Sequence, residues 1–310
     1  MSIGEKQKVF IYEVAPRDGL QNEPKFVETK DKVVLLNMLS ESGFKKIETT
    51  SFTSPRAIPA LGDADELMQS IKRNPKVTYS ALVPNLRGLQ RAVSANVEEA
   101  NFVLSCSETH NRVNLRMSRE DSLAQLKDVV EVGRENQINI NTSLSTAFGC
   151  PMEGEVRLSE VIGVVERLTS LGVDSITLCD TTGMAYPDQV SKTCSQLKKL
   201  YPSVSFTLHL HNTRGLALAN ALAALNVGIN QFDSSLGGLG GCPYAPGASG
   251  NVCTEDLVHM LELMGYDTGI DLTHLLKVAS YMEKLVGRKL PSYVLKAGPR
   301  STIHPVPHSV

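Results

Sequence analysis

The chain has no excess of charge of either sign. Its 310 residues include 31 lysines and arginines and 33 aspartates and glutamates, which gives a formal net charge of −2 at pH 7. Because the two signs are mixed along the chain, there is no basic stripe for a nucleic-acid backbone and no cationic helix for a membrane surface. We therefore expect neither kind of partner.

The chain also lacks long hydrophobic runs and clustered cysteines. No apolar stretch approaches the roughly 20 residues that span a bilayer, and residues 1–8 contain no apolar signal segment. The six cysteines stand singly, at positions 106, 150, 179, 194, 242 and 253, with neither zinc-finger spacing nor a disulfide framework. These absences predict a cytoplasmic protein without membrane spans.

The organisation of the chain is a repeated alternation of strand and helix. Runs rich in β-branched residues begin near Val9, Lys45, Val77, Ala100, Ile138, Asp174, Ser203 and Gly228. Longer helical patterns lie between them, over residues 30–42, 64–73, 118–136, 158–171, 187–200 and 214–226. This alternation is typical of βα units and a parallel sheet. Eight such units in about 230 residues predict an α/β fold, a (β/α)₈ TIM barrel, with an open doubly wound sheet as the alternative.

The segment after the eighth predicted strand is unusually rich in glycine. Six of the fifteen residues from 237 to 251 are glycine, which predicts an irregular active-site loop that a ligand would order. Two further helical patterns follow, over residues 255–264 and 272–286. We expect the tail from Pro291 onward to be loosely held.

The composition, with 42% hydrophobic and 21% charged residues, is that of an ordinary globular protein with a large core. We predict that residues 1–310 form a single catalytic domain. Its parts are the barrel at about 8–236, the glycine-rich loop at 237–251 and a C-terminal helical region at 252–310.

His209 and His211 are spaced by one residue at the end of the seventh predicted strand, which reads VSFTLHLH. Side chains two residues apart in a strand point to the same side, so both imidazoles project together where the strand ends. A barrel of this kind places its chemistry at the carboxyl ends of its strands. Histidines at a strand end can also be satisfied polar groups without a ligand. Other polar residues at the same end favour a metal site.

These other residues are charged side chains at strand ends. Arg17 and Asp18 end the first strand, Glu48 lies in the second, and Asp180 ends the sixth. A charged group next to an apolar strand is costly when it is unpaired, so each needs a partner or a function. The alternatives are a surface ion pair for Arg17 and Asp18 and helix-capping carboxylates for Glu48 and Asp180.

A metal ion would be a common partner for these groups. We predict that Asp18, His209 and His211 bind it, and that an oxygen of Asn251 and water or substrate complete the set. Two imidazoles, a carboxylate and no thiolate favour an octahedral divalent ion, Mg²⁺ or Mn²⁺. Zinc is the alternative.

Cys242 lies inside the glycine-rich loop. Inert cysteines usually pack in the core, so this placement predicts a reactive thiol. The alternative is a small apolar residue that anchors the loop. A phosphate-binding loop is disfavoured because residues 237–241 lack the P-loop lysine and do not open a βαβ unit.

Several segments carry a more specific signal. They read VAPRDGLQNE (14–23), IETTSF (47–52), ALVPN (81–85), SETHN (107–111), FGCP (148–151), HLHNTRG (209–215) and the glycine-rich residues 237–251. Through them nearly the whole chain resembles the 3-hydroxy-3-methylglutaryl-coenzyme A (HMG-CoA) lyases, metal-dependent barrel enzymes of the Claisen-type metallolyase superfamily. The resemblance implies roles that agree with the residue chemistry: Asp18, His209, His211 and Asn251 bind the cation, Arg17 and Glu48 line the reacting centre, and Cys242 is the active-site loop cysteine.

The reaction implied by the resemblance is cleavage of HMG-CoA to acetoacetate and acetyl-CoA. The C3 hydroxyl loses its proton while the C2–C3 bond breaks and leaves an enolate on the thioester. Arg17 suits stabilisation of that enolate. The predicted base is Asp18, with Glu48 or Asp180 as alternatives, and the predicted acid is Cys242.

The resemblance also implies an acyl-CoA substrate, a homodimer and a place in leucine degradation and ketone body metabolism. Lys289 is a candidate contact for the nucleotide end of the substrate.

Two departures from the family pattern lie near the presumed acyl pocket. Ser143 stands where many members have tyrosine, and Met152 follows Cys150 and Pro151 where tyrosine is usual. The small Ser143 makes a bulkier 3-hydroxyacyl-CoA an alternative substrate. A condensing synthase of the same superfamily and a non-enzymatic metal-binding barrel are further alternatives.

Overall fold

The computed structural model describes residues 6–241 and 250–304. Within these ranges the strands are β1 (Phe10–Glu13), β2 (Lys46–Ser51), β3 (Thr78–Leu82), β4 (Glu99–Ser105), β5 (Asn139–Ser145), β6 (Ser175–Asp180), β7 (Ser205–Leu210) and β8 (Gln231–Ser234). They form a closed parallel barrel in chain order. Closure is visible in the register of β1 with β8, where Phe10 lies opposite Gln231. The predicted (β/α)₈ barrel is confirmed, and the open-sheet alternative is wrong.

Helices connect the strands and cover the outside of the barrel. In the described ranges they are α1 (Thr29–Ser40), α2 (Ala64–Ser70), α3 (Leu86–Ser94), α4 (Glu108–Leu115), α5 (Arg119–Glu135), α6 (Leu158–Leu171), α7 (Pro187–Leu200), α8 (Ala217–Asn226), α9 (Thr254–Leu263), α10 (Leu272–Val286) and α11 (Tyr293–Ala297). The predicted helical patterns match α1, α2 and α5 to α10 to within three residues at each end. The sequence patterns did not reveal α3, α4 or α11. None of the described helices is both long and apolar enough to cross a membrane.

Residues 292–294, which follow α10, are held against α9, and this corrects the prediction of a loose tail from Pro291 for that part of the chain. Residues 305–310 lie outside the described residues. Asp256 of α9 accepts hydrogen bonds from Ser292 Oγ at 3.2 Å and from the backbone N–H groups of Tyr293 and Val294 at 3.1 and 2.8 Å. Ser292 is fully buried. The sequence could not reveal this contact because about 36 residues separate Asp256 from its donors.

The apolar core lies between the barrel and its helices, whereas the inside of the barrel is polar. Leu36 and Leu168 are among the fully buried side chains of the outer layer. Inside the barrel, Lys46 and Glu99 form an ion pair at 2.7 Å, and a small polar cavity lined by both also borders Asn101. Polar groups at the mouth of the barrel therefore find hydrogen-bonding partners beneath them.

Candidate metal centre at the mouth of the barrel

His209 and His211 lie together at the carboxyl end of β7, as their spacing predicts. Both are buried, and their Nε2 atoms are 3.3 Å apart. Asp18 lies beside them on a single π-helical turn, Ala15–Gly19, that follows β1. Its Oδ2 atom is 3.9 Å from His209 Nε2. One candidate ligand atom from each of the three residues lies within 4.8 Å of the other two, a spacing that one metal ion can bridge.

Asn251 joins this group from the far end of the glycine-rich segment. Its backbone forms an isolated antiparallel bridge with His211. Its Nδ2 atom donates to Asp18 Oδ2 at 2.6 Å and to the carbonyl oxygen of Leu239 at 2.9 Å. The remaining side-chain atom, Oδ1, is buried without a hydrogen-bond partner among the described residues. A buried oxygen without a donor is costly, and a cation would satisfy it.

The donor atoms and their charges fit a divalent cation. Ligands about 2.0–2.2 Å from one ion are compatible with the 3.3 Å between the two imidazole nitrogens. Burial alone would raise the pKa of Asp18, but the Arg17 guanidinium and both imidazoles lower it to about 2. Burial and the neighbouring His209 lower the pKa of His211 to about 3. Asp18 is therefore ionised and His211 neutral, as metal binding requires.

Two glycines let the backbone approach the candidate ligands. Gly240 has a φ of +101°, and a Cβ atom there would overlap Asn251 Nδ2 and lie 2.8 Å from Asp18 Oδ2. Gly250 has a φ of +98°, and a Cβ atom there would overlap the carbonyl oxygen of Gly238. Only glycine fits at either position, so the described ends of the predicted loop pack against the site.

Arg17 is held between two carboxylates next to the candidate ligands. Its Nε donates to Glu48 Oε2 and its Nη1 to Asp18 Oδ1, each at 2.6 Å. Glu48, buried in β2, uses Oε1 to accept from Asn101 Nδ2 at 2.8 Å. Burial lowers the pKa of Arg17, but the two carboxylates raise it by more, so the guanidinium stays charged. Its Nη2 makes no hydrogen bond to a described residue and is left for a ligand.

Asp233 in β8 is a residue of this site that sequence reasoning missed. Its Oδ2 accepts a hydrogen bond from His209 Nδ1 at 3.1 Å. A carboxylate on this nitrogen fixes the imidazole tautomer and turns Nε2 toward His211. The only signal in the sequence was a single acidic residue in the strand-like run GINQFDSS. Its pairing depends on the barrel register, which places His209 opposite Asp233.

Asp180 and Lys289, also predicted as site residues, lie outside this cluster. Asp180 Oδ1 accepts from the backbone N–H groups of Met184 and Ala185 at 2.7 and 3.1 Å, and Oδ2 has no partner among the described residues. Burial raises the pKa of Asp180 to about 6. Lys289 is exposed and forms an ion pair with Glu283. Asp180 thus accepts from the turn before α7 and does not cap that helix, which begins after Tyr186, so the helix-capping alternative is wrong. Both predicted roles stay predictions.

Three further positions from the sequence analysis have different outcomes. Cys242 lies outside the described residues. Ser143 is buried inside the barrel, where its Oγ donates to Asn101 Oδ1 at 2.8 Å and so joins the hydrogen-bonded chain that leads to Glu48. Met152 is 39% exposed. Ser143 is therefore connected to the candidate site through Asn101.

Fold and site together define a class of protein: a (β/α)₈ barrel with a candidate divalent-cation centre and a buried arginine at the carboxyl ends of its strands. The profile of the HMGL-like family matches residues 8–282. The chain belongs to the HMGL-like family.

Similar proteins narrow this assignment. A hydroxymethylglutaryl-CoA lyase of Bacillus subtilis is 48% identical over 92% of this chain and 96% of that protein. An (R)-citramalyl-CoA lyase of Chloroflexus aurantiacus is 40% identical over 94% of this chain and 96% of that protein. An HMG-CoA lyase from Acinetobacter baumannii, solved in complex with coenzyme A and 3-methylmalate, is 48% identical, with a TM-score of 0.93 over 97% of this chain and 98% of that one. The predicted resemblance to the HMG-CoA lyases and the prediction of a lyase enzyme are confirmed, and the non-enzymatic alternative is wrong.

Proposed function

We propose that this chain cleaves HMG-CoA to acetoacetate and acetyl-CoA with Mg²⁺ or Mn²⁺ as cofactor. The observation that carries the proposal is the convergence of Asp18, His209 and His211 next to Arg17. Asn251 adds a buried Oδ1 that has no partner among the described residues. The similar proteins named hydroxymethylglutaryl-CoA lyase support the substrate, and the coenzyme A in the Acinetobacter baumannii structure supports an acyl-CoA.

Asp18, His209, His211 and Asn251 would hold the cation. When bound, a divalent cation lowers the pKa of a hydroxyl group that it coordinates, here the C3 hydroxyl of the substrate. Asp233 contributes by keeping His209 in the orientation that turns Nε2 into the site.

Arg17 supplies fixed positive charge for the thioester. When the C2–C3 bond breaks, its electron pair moves onto C2 and is delocalised onto the thioester oxygen as an enolate. Glu48 and Asp18 occupy Nε and Nη1, so the guanidinium is held in place and Nη2 is free to donate to that oxygen. A donor fixed where negative charge develops stabilises the transition state more than the bound substrate.

The reaction also needs a base for the hydroxyl proton and an acid that protonates C2. With a pKa of about 2, Asp18 is a weak base, and both oxygens of Glu48 already accept hydrogen bonds. Burial raises the pKa of Asp180 to about 6, its Oδ2 has no partner among the described residues, and the carboxyl interacts electrostatically with His209. The proposal therefore assigns cation binding to Asp18 and the acid to Cys242, and it keeps Asp180 as the alternative base to Asp18, since its Oδ2 has no partner among the described residues.

A related 3-hydroxyacyl-CoA is a second candidate substrate. One similar protein is an (R)-citramalyl-CoA lyase, which supports a substrate one methylene shorter than HMG-CoA. The small Ser143 supports the opposite change, a bulkier group on the hydroxylated carbon. Cleavage of either substrate passes through the same thioester enolate and needs the same cation and arginine. The two candidates differ only in the group on the hydroxylated carbon.

The test is an assay of metal-free protein reloaded with Mg²⁺, Mn²⁺ or Zn²⁺, with chromatographic detection of acetyl-CoA. The substrates are HMG-CoA, (R)-citramalyl-CoA and 3-hydroxybutyryl-CoA. We expect acetyl-CoA from HMG-CoA with Mg²⁺ or Mn²⁺. A higher kcat/KM for (R)-citramalyl-CoA would favour the second candidate, and no release from any thioester would contradict both. The homodimer, the cytoplasmic location and the single catalytic domain stay predictions.

A further inference from the structure

One buried carboxylate that the proposed mechanism does not use lies beneath the start of the glycine-rich segment. Glu13, the last residue of β1, is fully buried. The preceding residue, Tyr12, lines the cavity inside the barrel. Since side chains alternate along a strand, Glu13 points outward, toward the first turn of α9. Its carboxylate lies outside the barrel wall that carries the candidate ligands.

Glu13 connects three separate segments. Its Oε1 accepts from the backbone N–H groups of Ala15 at 2.8 Å and Leu236 at 2.9 Å, and its Oε2 accepts from Thr254 Oγ1 at 2.8 Å. Ala15 opens the helical turn that carries Asp18, and Leu236 immediately precedes the glycine-rich segment. Thr254 follows Asn251 by three residues. Every donor therefore belongs to a segment next to the candidate metal centre.

A second buried carboxylate holds the next amide of the same segment. Glu255, also fully buried, accepts from the N–H of Gly237 at 2.9 Å and from Cys253 Sγ at 2.9 Å. The two carboxylates thus fix the consecutive amides of Leu236 and Gly237. Because buried backbone N–H groups are costly to leave unpaired, removing either acceptor would favour movement of this segment.

Glu13 fits its surroundings in the protonated state as well. Burial raises the pKa of Glu13 to about 8. A proton on Oε2 can be donated to Thr254 Oγ1, which in turn lies 2.8 Å from Ser234 Oγ and can donate to it. Oε1 remains the acceptor for the two backbone N–H groups in either state. Glutamine, which is neutral and has the same shape, would reproduce this arrangement.

We propose that Glu13 is a positioning residue for the candidate metal centre, tying the Asp18 turn, the start of the glycine-rich segment and the Asn251 segment into one unit. The inference rests on the proposed function, since it takes Asp18 and Asn251 to be cation ligands. Those two side chains are 2.6 Å apart, and Gly240 is packed so closely on both that a Cβ atom has no space. A shift of either segment would therefore change the separation of the ligands.

The first measurement is Mn²⁺ affinity, by calorimetry on metal-free protein. Glu13→Ala removes the acceptor for all three donors. Glu13→Gln keeps Oε1 for the backbone N–H groups and offers Nε2 to Thr254 Oγ1. We expect the Kd for Mn²⁺ to rise about 10- to 100-fold in Glu13→Ala and to stay within about threefold of wild type in Glu13→Gln.

The second measurement is backbone amide hydrogen exchange of the metal-free protein, which reports directly on opening of residues 236–241. Amides of residues 236–241 should exchange faster in Glu13→Ala than in wild type. Asp174→Ala is the control, because the Asp174 carboxylate also accepts from a backbone N–H, that of Ile140 at 2.7 Å, and does so at the start of β5, away from the site. It should lower the Tm without changing Mn²⁺ affinity or exchange at 236–241.

Thr254→Val keeps the test decisive where Glu13→Ala does not fold, since it removes one donor and leaves the carboxylate in place. It should weaken Mn²⁺ binding in the same direction and less strongly. Wild-type Mn²⁺ affinity and wild-type exchange at residues 236–241 in the folded variants would overturn the inference. A wild-type protein that binds no Mn²⁺ would instead contradict the proposed metal function.

Discussion

Glu13 and Asp18 are two carboxylates at one end of β1 with opposite electrostatic environments. Burial raises the pKa of Glu13 to about 8, and its hydrogen-bond donors among the described residues are two backbone N–H groups and a hydroxyl. Asp18 faces Arg17 and two imidazoles, which lower its pKa to about 2 in spite of burial. The barrel wall separates the two environments. Nearby positive charge, more than burial, decides which carboxylate stays ionised and suits a cation.

The difference between Asp18 and Glu13 depends most on Arg17, whose permanent positive charge lies next to Asp18. Arg17→Gln should lower kcat for HMG-CoA cleavage by about three orders of magnitude or more and change substrate binding little, because the lost donor acts on transition-state charge. Steady-state kinetics measure both. Arg167→Gln, which breaks an ion pair with Glu120 on the outer helices, is the control and should leave kcat unchanged. A loss confined to KM would mean that Arg17 only positions the substrate.

The imidazoles of His209 and His211, which lie beside Asp18, give the next test. His209→Ala and His211→Ala should each weaken Mn²⁺ binding by about 100-fold or more and lower activity together with it, because each removes a ligand atom. Calorimetric titration measures the affinity. His259→Ala, which removes the acceptor for the backbone N–H of Arg300 far along the chain, should bind Mn²⁺ as wild type does. Unchanged binding in both site variants would exclude these histidines from the metal centre.

Asp233 should have a smaller effect, because it acts on a ligand and not on the ion. Asp233→Asn keeps an acceptor for His209 Nδ1 but loses the negative charge, and we expect Mn²⁺ affinity to fall about tenfold. Asp174→Asn is the control, since Asp174 accepts from the backbone N–H of Ile140 away from the site. Equal Mn²⁺ affinities of Asp233→Asn and wild type would show that His209 is oriented without this carboxylate.

The burial of Glu13 and Glu255 should be visible in how the free energy of unfolding changes with pH. The folded-state pKa values of Glu13 and Glu255, about 8 and about 7, lie above the ordinary value of 4.5. At pH values between 4.5 and the folded-state pKa of each group, the folded state therefore binds more protons than the unfolded chain. The stability contributed by each group is full below its unfolded pKa and is lost as the pH rises through its folded pKa.

Glu13→Gln removes one of these titrating groups. Between about pH 5 and pH 9, we expect the free energy of unfolding of metal-free wild type to fall by about 1–3 kcal/mol more than that of Glu13→Gln. Urea unfolding at several pH values measures the difference. Glu120→Gln on the surface should keep the wild-type slope, and an equal slope in Glu13→Gln would mean that Glu13 is ionised in the folded protein at neutral pH.

Part of the site followed from local sequence patterns. The spacing of His209 and His211 placed both imidazoles on one side of a strand end, and the alternation of strands and helices brought Asp18 to the same end of a barrel. Asp233 and Glu13 carry no such signal. A single acidic residue in a strand can face the barrel interior, the helices or solvent, and only the register and the partner segments distinguish these environments.

By itself the sequence determined the number and order of the βα units, the barrel and the strand-end positions of the candidate ligands, because these depend on periodicities of a few residues. Only the tertiary structure decided that Asn251 presents an oxygen with no partner among the described residues, that Asp233 orients His209 and that Glu13 joins three segments. These contacts join groups up to 241 residues apart. Their energies depend on burial and on neighbouring charge, which exist only once the barrel has closed.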